Sequence, residues 1–269
     1  MYSVLGMLVA NLLSPFSIFS YGFVFGIFAF FEGFRLLQRK RLIENTPTSK
    51  IRSIAMGFAE VRGKISVCTD AAVEKSGFLK SPISGAKCVY YDAKVEEIGL
   101  GGIWETTYHR TDIVHFNVSD KTGTVLVDPK GATLDIIRKD FYYETDRTDS
   151  ISGRKMPKNC SDFCARNRIH CGPFSAYPKY FTERYLAPGD SLYILGTAMK
   201  NPYIHSSKVK SDAVMMAKGI RGEKTFYISE SGEKNILSKL HHSALIWVFG
   251  GAALSVACLF LLVCIGFYI

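Results

Sequence analysis

The sequence has 269 residues, 33 Lys and Arg against 24 Asp and Glu, and a net charge of +9. Its mean hydropathy of +0.10 averages two very apolar ends with an ordinary soluble middle. The surplus positive charge is spread over that middle instead of forming a tract, which reads as a solvated basic face near anionic lipid and argues against a nucleic-acid partner.

Residues 1–31 contain no charged side chain, and neither do residues 244–269. A helix rises about 1.5 Å per residue and needs roughly 20 apolar residues to cross the hydrocarbon core of a bilayer, so both segments are long enough. In the N-terminal segment, residues 1–37, the best window is 16–37, with Pro15 suited to a helix start. A cleaved signal peptide is not expected, because no basic n-region precedes the run and the run is too long. The C-terminal segment, residues 244–269, is expected to end the chain as a second span. Leu240-His241-His242-Ser243 before it does not supply the small residues and spacer of a removable lipid anchor. An integral membrane protein with two spans and one soluble domain, residues 38–243, is therefore expected. Arg35, Arg39, Lys40, Arg41, Lys50 and Arg52 crowd the inner end of the first span, and Lys224, Lys234 and Lys239 precede the second. By the positive-inside rule the domain is expected in the cytoplasm, with both termini outside. Cys68, Cys88, Cys160, Cys164 and Cys171 make an odd set without framework spacing, which is compatible with that compartment.

Within the domain, Glu44-Asn45-Thr46-Pro47-Thr48-Ser49 is a polar hinge where Pro47 stops a helix. Alternation predicts strands over residues 58–67 and 88–98, separated by the turn Ser81-Pro82-Ile83-Ser84-Gly85. Residues 113–118 and 124–127 flank Ser119-Asp120-Lys121-Thr122-Gly123 as a hairpin, and Asp128-Pro129-Lys130-Gly131 turns into a short strand at 132–137. Residues 139–182 are polar and aperiodic, and a long surface insertion is expected there. Strands return at 192–198, 213–220 and 225–228. From Ser231 the pattern turns helical, with Glu233, Ile236, Leu237 and Leu240 leading into the second span. Short strands at this spacing predict a mainly β fold, a barrel-like or sandwich domain, flanked by two transmembrane α-helices.

These segments resemble a known family. Thr46-Pro47-Thr48-Ser49-Lys50-Ile51, Gly57-Phe58-Ala59-Glu60-Val61-Arg62-Gly63, the Ser81–Gly85 turn and Cys88-Val89-Tyr90-Tyr91 are similar to the start of the GIDE domain, also called the beside-a-membrane (BAM) domain. Residues 116–129, Gly131-Ala132, Leu186-Ala187-Pro188-Gly189-Asp190-Ser191-Leu192-Tyr193-Ile194-Leu195-Gly196, Phe226-Tyr227-Ile228-Ser229 and Glu233 continue the likeness. The best-known members are mitochondrial outer-membrane E3 ligases for ubiquitin or a related modifier, with two spans around the domain and a C-terminal RING finger. The resemblance implies ligase kinship, but a RING needs eight Cys/His ligands for two zinc ions. None is expected here, because nothing follows Ile269 and the soluble region has so few cysteines.

Other constellations are weaker. Cys160, Cys164, His170 and Cys171 are candidate zinc ligands, although their loose spacing favours cysteines that merely cluster; no cofactor is otherwise expected. His109, Asp112 and His115 could form an acid/base group, but no nucleophile sits nearby in sequence, and surface histidines are the plainer reading. Gly99-Leu100-Gly101-Gly102 lacks the Lys-Ser/Thr pair and the helix start of a phosphate loop. His241 and His242 beside the second span read as solvated. Small residues form one stripe of Gly22, Gly26, Ala29 and Gly33 and another of Gly250, Gly251, Ala253, Ser255 and Ala257. Such stripes let membrane helices approach closely, so an antiparallel hairpin is expected with Gly22, Gly26 and Gly33 facing Gly251 and Ser255.

The functional expectation is a membrane-tethered, non-catalytic interaction or sensor module whose partners are the lipid bilayer and a protein the sequence does not name. The alternatives are a component of an E3 ubiquitin ligase that needs a separate RING subunit, or a membrane-perturbing oligomer.

Overall fold

The computed structural model describes residues 15–68, 73, 76–98, 102–137, 158–169, 179–203, 213–219 and 225–268. Helix α1 (Pro15–Glu44) comes first, α2 (Lys158–Asn167) lies midway and α3 (Glu233–Tyr268) comes last. The chain divides into a helical unit holding α1 and α3 and a β-rich unit, Pro47–Gly232.

In the helical unit, both α1 and α3 are long and apolar enough to cross a membrane. Their packing inverts that of a soluble helix pair: Phe25, Phe28, Phe31, Ile246, Phe249 and Val256 point outward, while Gly26, Ala29, Gly33 and Gly251 are buried. On α1 the seam residues Gly22, Gly26, Ala29 and Gly33 follow alternating steps of four and three, the spacing of a left-handed helix pair. On α3 the same steps are made by Ala244, Val248, Gly251, Ser255 and Cys258. The helices run antiparallel. A Cβ at Gly22 would stand 2.7 Å from Cys258 Sγ, and one at Gly26 would stand 2.8 Å from Ser255 N and 2.9 Å from Gly251 O. One at Gly33 would meet Val248 N at 2.7 Å and Ala244 O at 3.2 Å. The stripe expected on α3 therefore shifts. Gly250 faces open space and Ala253 and Ala257 are exposed, because residues two apart on a helix lie on different faces.

The β-rich unit contains a closed five-stranded barrel. Its strands are β1 (Gly57–Val67), β6 (Phe116–Ser119), β7 (Thr124–Val127), β10 (Ser191–Lys200) and β11 (Val214–Ala217), joined in the circuit β1-β6-β7-β11-β10 and closed by β10 on β1. All these pairings are antiparallel except β7 with β11. Two short strands, β12 (Tyr227–Ser229) and β8 (Thr133–Asp135), extend the sheet from β10. Alternation fills the barrel: Val61 and Ile65 of β1 point in with Phe116, Val118, Ile194 and Met216, while Glu60, Arg62 and Lys64 take the other face. Gly63 is required by the close approach of β6, since a Cβ there would stand 2.5 Å from Ser119 O.

Beside the barrel lies a three-stranded antiparallel sheet of β5 (Trp104–Ile113), β4 (Tyr90–Ile98) and β9 (Lys179–Leu186), and β2 (Leu79–Lys80) pairs with β3 (Lys87–Cys88). A second core joins Tyr91, Ala93, Val95 and Phe181 to Cys160, Phe163 and Cys164 of α2. Phe163 sits edge-on to Tyr108, with centroids 5.0 Å apart, and to Phe181 at 6.4 Å.

One expectation changes here, and one strand is added. The segment 139–182, expected as a surface loop, contains α2 and the start of β9. Cys160, Phe163 and Cys164 at i, i+3 and i+4 are the amphipathic signal for that helix, and its polar neighbours hide it. Residues 138–157 and 170–178 of the segment lie outside the described residues. Strand β5 had no alternation to reveal it, since most of its side chains are exposed on both faces.

Candidate functional site

The constellations singled out in the sequence do not assemble. His109 Nε2 lies 2.8 Å from Asp92 Oδ1 on the neighbouring strand, whereas His115 Nε2 lies 3.4 Å from Asp128 Oδ1. Asp112 accepts the Ile113 amide at 2.9 Å, so each member of the expected acid/base group has a different partner. Among the described residues, no three His, Cys, Asp or Glu side chains are placed to hold a metal ion. Of the zinc candidates, Cys160 and Cys164 share the buried face of α2, and His170 and Cys171 lie outside the described residues. Burial, reinforced by the Glu183 carboxylate, pushes the Cys160 thiol up to about 11, and Cys164 is in a disulfide. A zinc ligand must be a thiolate, and the disulfide takes Cys164 out of the candidate set. Gly102 takes φ +77°, while residues 99–101 lie outside the described set. His241 and His242 sit on α3 with their rings 6.4 Å apart.

Two buried carboxylates organise the β-rich unit instead. Glu183 of β9, fully buried, accepts hydrogen bonds from the Ser81 hydroxyl, from the Ile83 amide at 3.0 Å and from the Ser84 amide at 3.2 Å. It thereby fixes the Ser81-Pro82-Ile83-Ser84-Gly85 turn. Burying a carboxylate is costly unless its oxygens are satisfied, and this turn supplies the donors. Glu60 of β1, also buried, accepts from the Thr48 hydroxyl and from Tyr193 Oη at 3.0 Å, and Arg62 Nη2 lies 3.5 Å away.

Over Arg62 and Tyr193, two of the partners of that second carboxylate, the barrel surface forms a groove of about 620 Å³. It is lined by Arg62, Gly63 and Lys64 of β1, Ser119, Asp120 and Lys121 at the β6–β7 turn, Ser191, Leu192 and Tyr193 of β10, and Glu230 and Gly232. Strand pairing brings these segments together: Arg62 is opposite Tyr193, and Lys64 is opposite both Ser191 and Ser119. The Arg62 guanidinium lies over the Tyr193 ring, 5.3 Å from its centroid.

The turn beside the groove is locked by Asp120. Its Oδ1 accepts from Thr122 N at 2.6 Å, Thr122 Oγ1 at 2.7 Å and Gly123 N at 2.9 Å, and its Oδ2 accepts Ile51 N at 3.0 Å. Partial burial pushes this carboxyl up, but the Thr122 hydroxyl and the Ile51, Thr122 and Gly123 amides outweigh it and hold Asp120 below its ordinary value.

Sequence reasoning did not identify the groove. Arg62 and Lys64, two apart on a strand, were legible as one exposed face. That Lys121 and Tyr193 stand beside them depends on pairings across more than fifty and a hundred residues, which no local pattern encodes.

A family model described as GIDE, E3 ubiquitin ligase, matches residues 101–263. The match includes the groove residues of β6, β10 and the β12 exit; the segments before residue 101, among them Arg62 and Lys64, precede it. No curated protein and no solved structure matches the chain. Since the matched stretch makes up more than half of the sequence, the chain belongs to the GIDE family.

Proposed function

We propose that this protein is a membrane-tethered, non-catalytic interaction module, with α1 and α3 spanning the bilayer and the β-rich unit on the cytoplasmic side. The observation that carries the reading is the character of the barrel's groove. It offers cations, hydroxyls and an aromatic ring, and its carboxylates, Asp120 and Glu230, accept backbone amides that fix neighbouring turns. The inverted packing of α1 and α3, large side chains out and small ones in, supports the tether, since lipid rather than water suits that surface. The basic residues from Arg35 to Arg52 support the orientation. Tethers at both ends keep the β-rich unit from leaving the membrane, an arrangement that suits recruiting a protein partner there.

A second reading comes from the family's description: a component of an E3 ubiquitin ligase that works with a separate RING subunit. A RING provides two four-ligand zinc sites, and among the described residues no such group is present. A reconstituted assay with activating enzyme, conjugating enzyme, ubiquitin and the purified chain should show no ubiquitin chains. Robust autoubiquitination without an added RING protein would overturn the non-catalytic reading.

A further inference from the structure

We infer that the groove binds a phosphate ester; this rests on the reading of the domain as an interaction module and names what that module binds. The cations of the groove come from separate stretches of chain, Arg62 and Lys64 on one face of β1 and Lys121 on the β6–β7 turn. The acids beside them are already engaged. Both oxygens of Asp120 accept backbone or hydroxyl hydrogens, and Glu230 Oε2 accepts the Ile137 amide at 2.8 Å. Lys64 and Lys121 have no ion pair among the described residues. Arg62 is held over the Tyr193 ring and against Glu60, which preorganises its planar fork. Ser119, Ser191 and Tyr193 add hydroxyls to the lining.

Three cations against the carboxylates of Asp120 and Glu230 leave the lining with one positive charge in excess. Lys64 and Lys121 supply donors outside any ion pair among the described residues, so the ligand that fits is an anion with several oxygens. A carboxylate offers two oxygens and one charge, which a single guanidinium fork satisfies. A phosphate ester offers three oxygens and about −1.5 to −2 charges, enough to engage both ammonium groups together beside the Glu60-paired Arg62 guanidinium. The volume of about 620 Å³ lies within the range of small-molecule sites. This chemistry comes from two sources, the phosphorylated headgroup of a lipid and a soluble phosphate ester.

The test uses the full chain in phosphatidylcholine nanodiscs. In one arm, inositol trisphosphate is titrated in by calorimetry; in the other, nanodiscs doped with phosphatidylinositol bisphosphate are compared with undoped ones by native mass spectrometry of retained lipid. Saturable binding in either arm is expected, weakened about tenfold by Lys64→Glu and again by Lys121→Glu. Lys200→Glu makes the same charge change on an exposed residue outside the groove and should alter affinity by less than about twofold. Binding confined to the soluble arm assigns a free ester, binding confined to the lipid arm assigns a headgroup, and both outcomes support the inference. Silence in both arms, or an equal loss with Lys200→Glu, would overturn it. Such a failure leaves the non-catalytic reading in place, because the ubiquitin assay reads that independently of the groove.

Discussion

Glu183→Ala should cost about 3–5 kcal/mol of domain stability, because it strips the acceptor from several buried donors at once. Ser81 Oγ and the Ile83 and Ser84 amides all converge on this carboxylate in a site closed to water. For a unit of this size the loss corresponds to a fall in Tm of roughly 10 °C by thermal unfolding. Glu183→Gln keeps one acceptor oxygen but turns an amide toward a backbone N–H, so it should fall between wild type and Ala. Glu105→Ala, an exposed carboxylate on β5, should leave Tm almost unchanged. A Glu183→Ala protein melting within about 2 °C of wild type would show that the turn is held by other contacts.

The second large effect belongs to the helical unit. Gly26→Leu should separate α1 from α3, at a cost of about 2 kcal/mol or more, because the new side chain meets backbone that cannot swing aside. Ser255 N and Gly251 O stand 2.8 and 2.9 Å from where its Cβ would be. A reporter is built into the chain: Gly22→Cys would place a sulfur beside the native Cys258 thiol. With the remaining cysteines removed, mild oxidation should crosslink this pair within one chain. Gly26→Leu should reduce the yield several-fold, whereas Phe25→Leu, on the outward face, should not. Crosslinks that form only between chains would assign the glycine seam to oligomerisation and overturn the hairpin.

The parts of this fold legible in the sequence are those with a local period. The two long charge-free runs predict α1 and α3, and alternation predicts β1, β4 and β10 within a residue or two of where they stand. The hairpin around Asp120 was legible because its Asx chemistry acts over three residues. Helix α2 and strand β9 were missed inside a polar segment, since their apolar faces become meaningful only against the β4 sheet. Glu183 lies in the missed strand, so its role in holding a turn a hundred residues away had no sequence signal. The groove was illegible for a related reason. Each of its cations reads as an ordinary surface charge until barrel closure places β1 between β6 and β10.

Double tethering on the cytoplasmic side is the central claim, and selective cutting in cells tests it most directly. Recognition sites for a sequence-specific protease would be inserted between Thr46 and Pro47 and between Gly232 and Glu233, the junctions of the two units, singly and together, with the protease expressed in the cytoplasm. With either site alone the β-rich unit should stay in the membrane fraction, held by the remaining helix; with both it should appear in the soluble fraction. Release from a single cut would mean that one helix does not span. A unit that remains uncut with both sites present, read from fragment size, would place it on the far side of the bilayer, where the disulfide at Cys164 would be at home in an oxidising compartment.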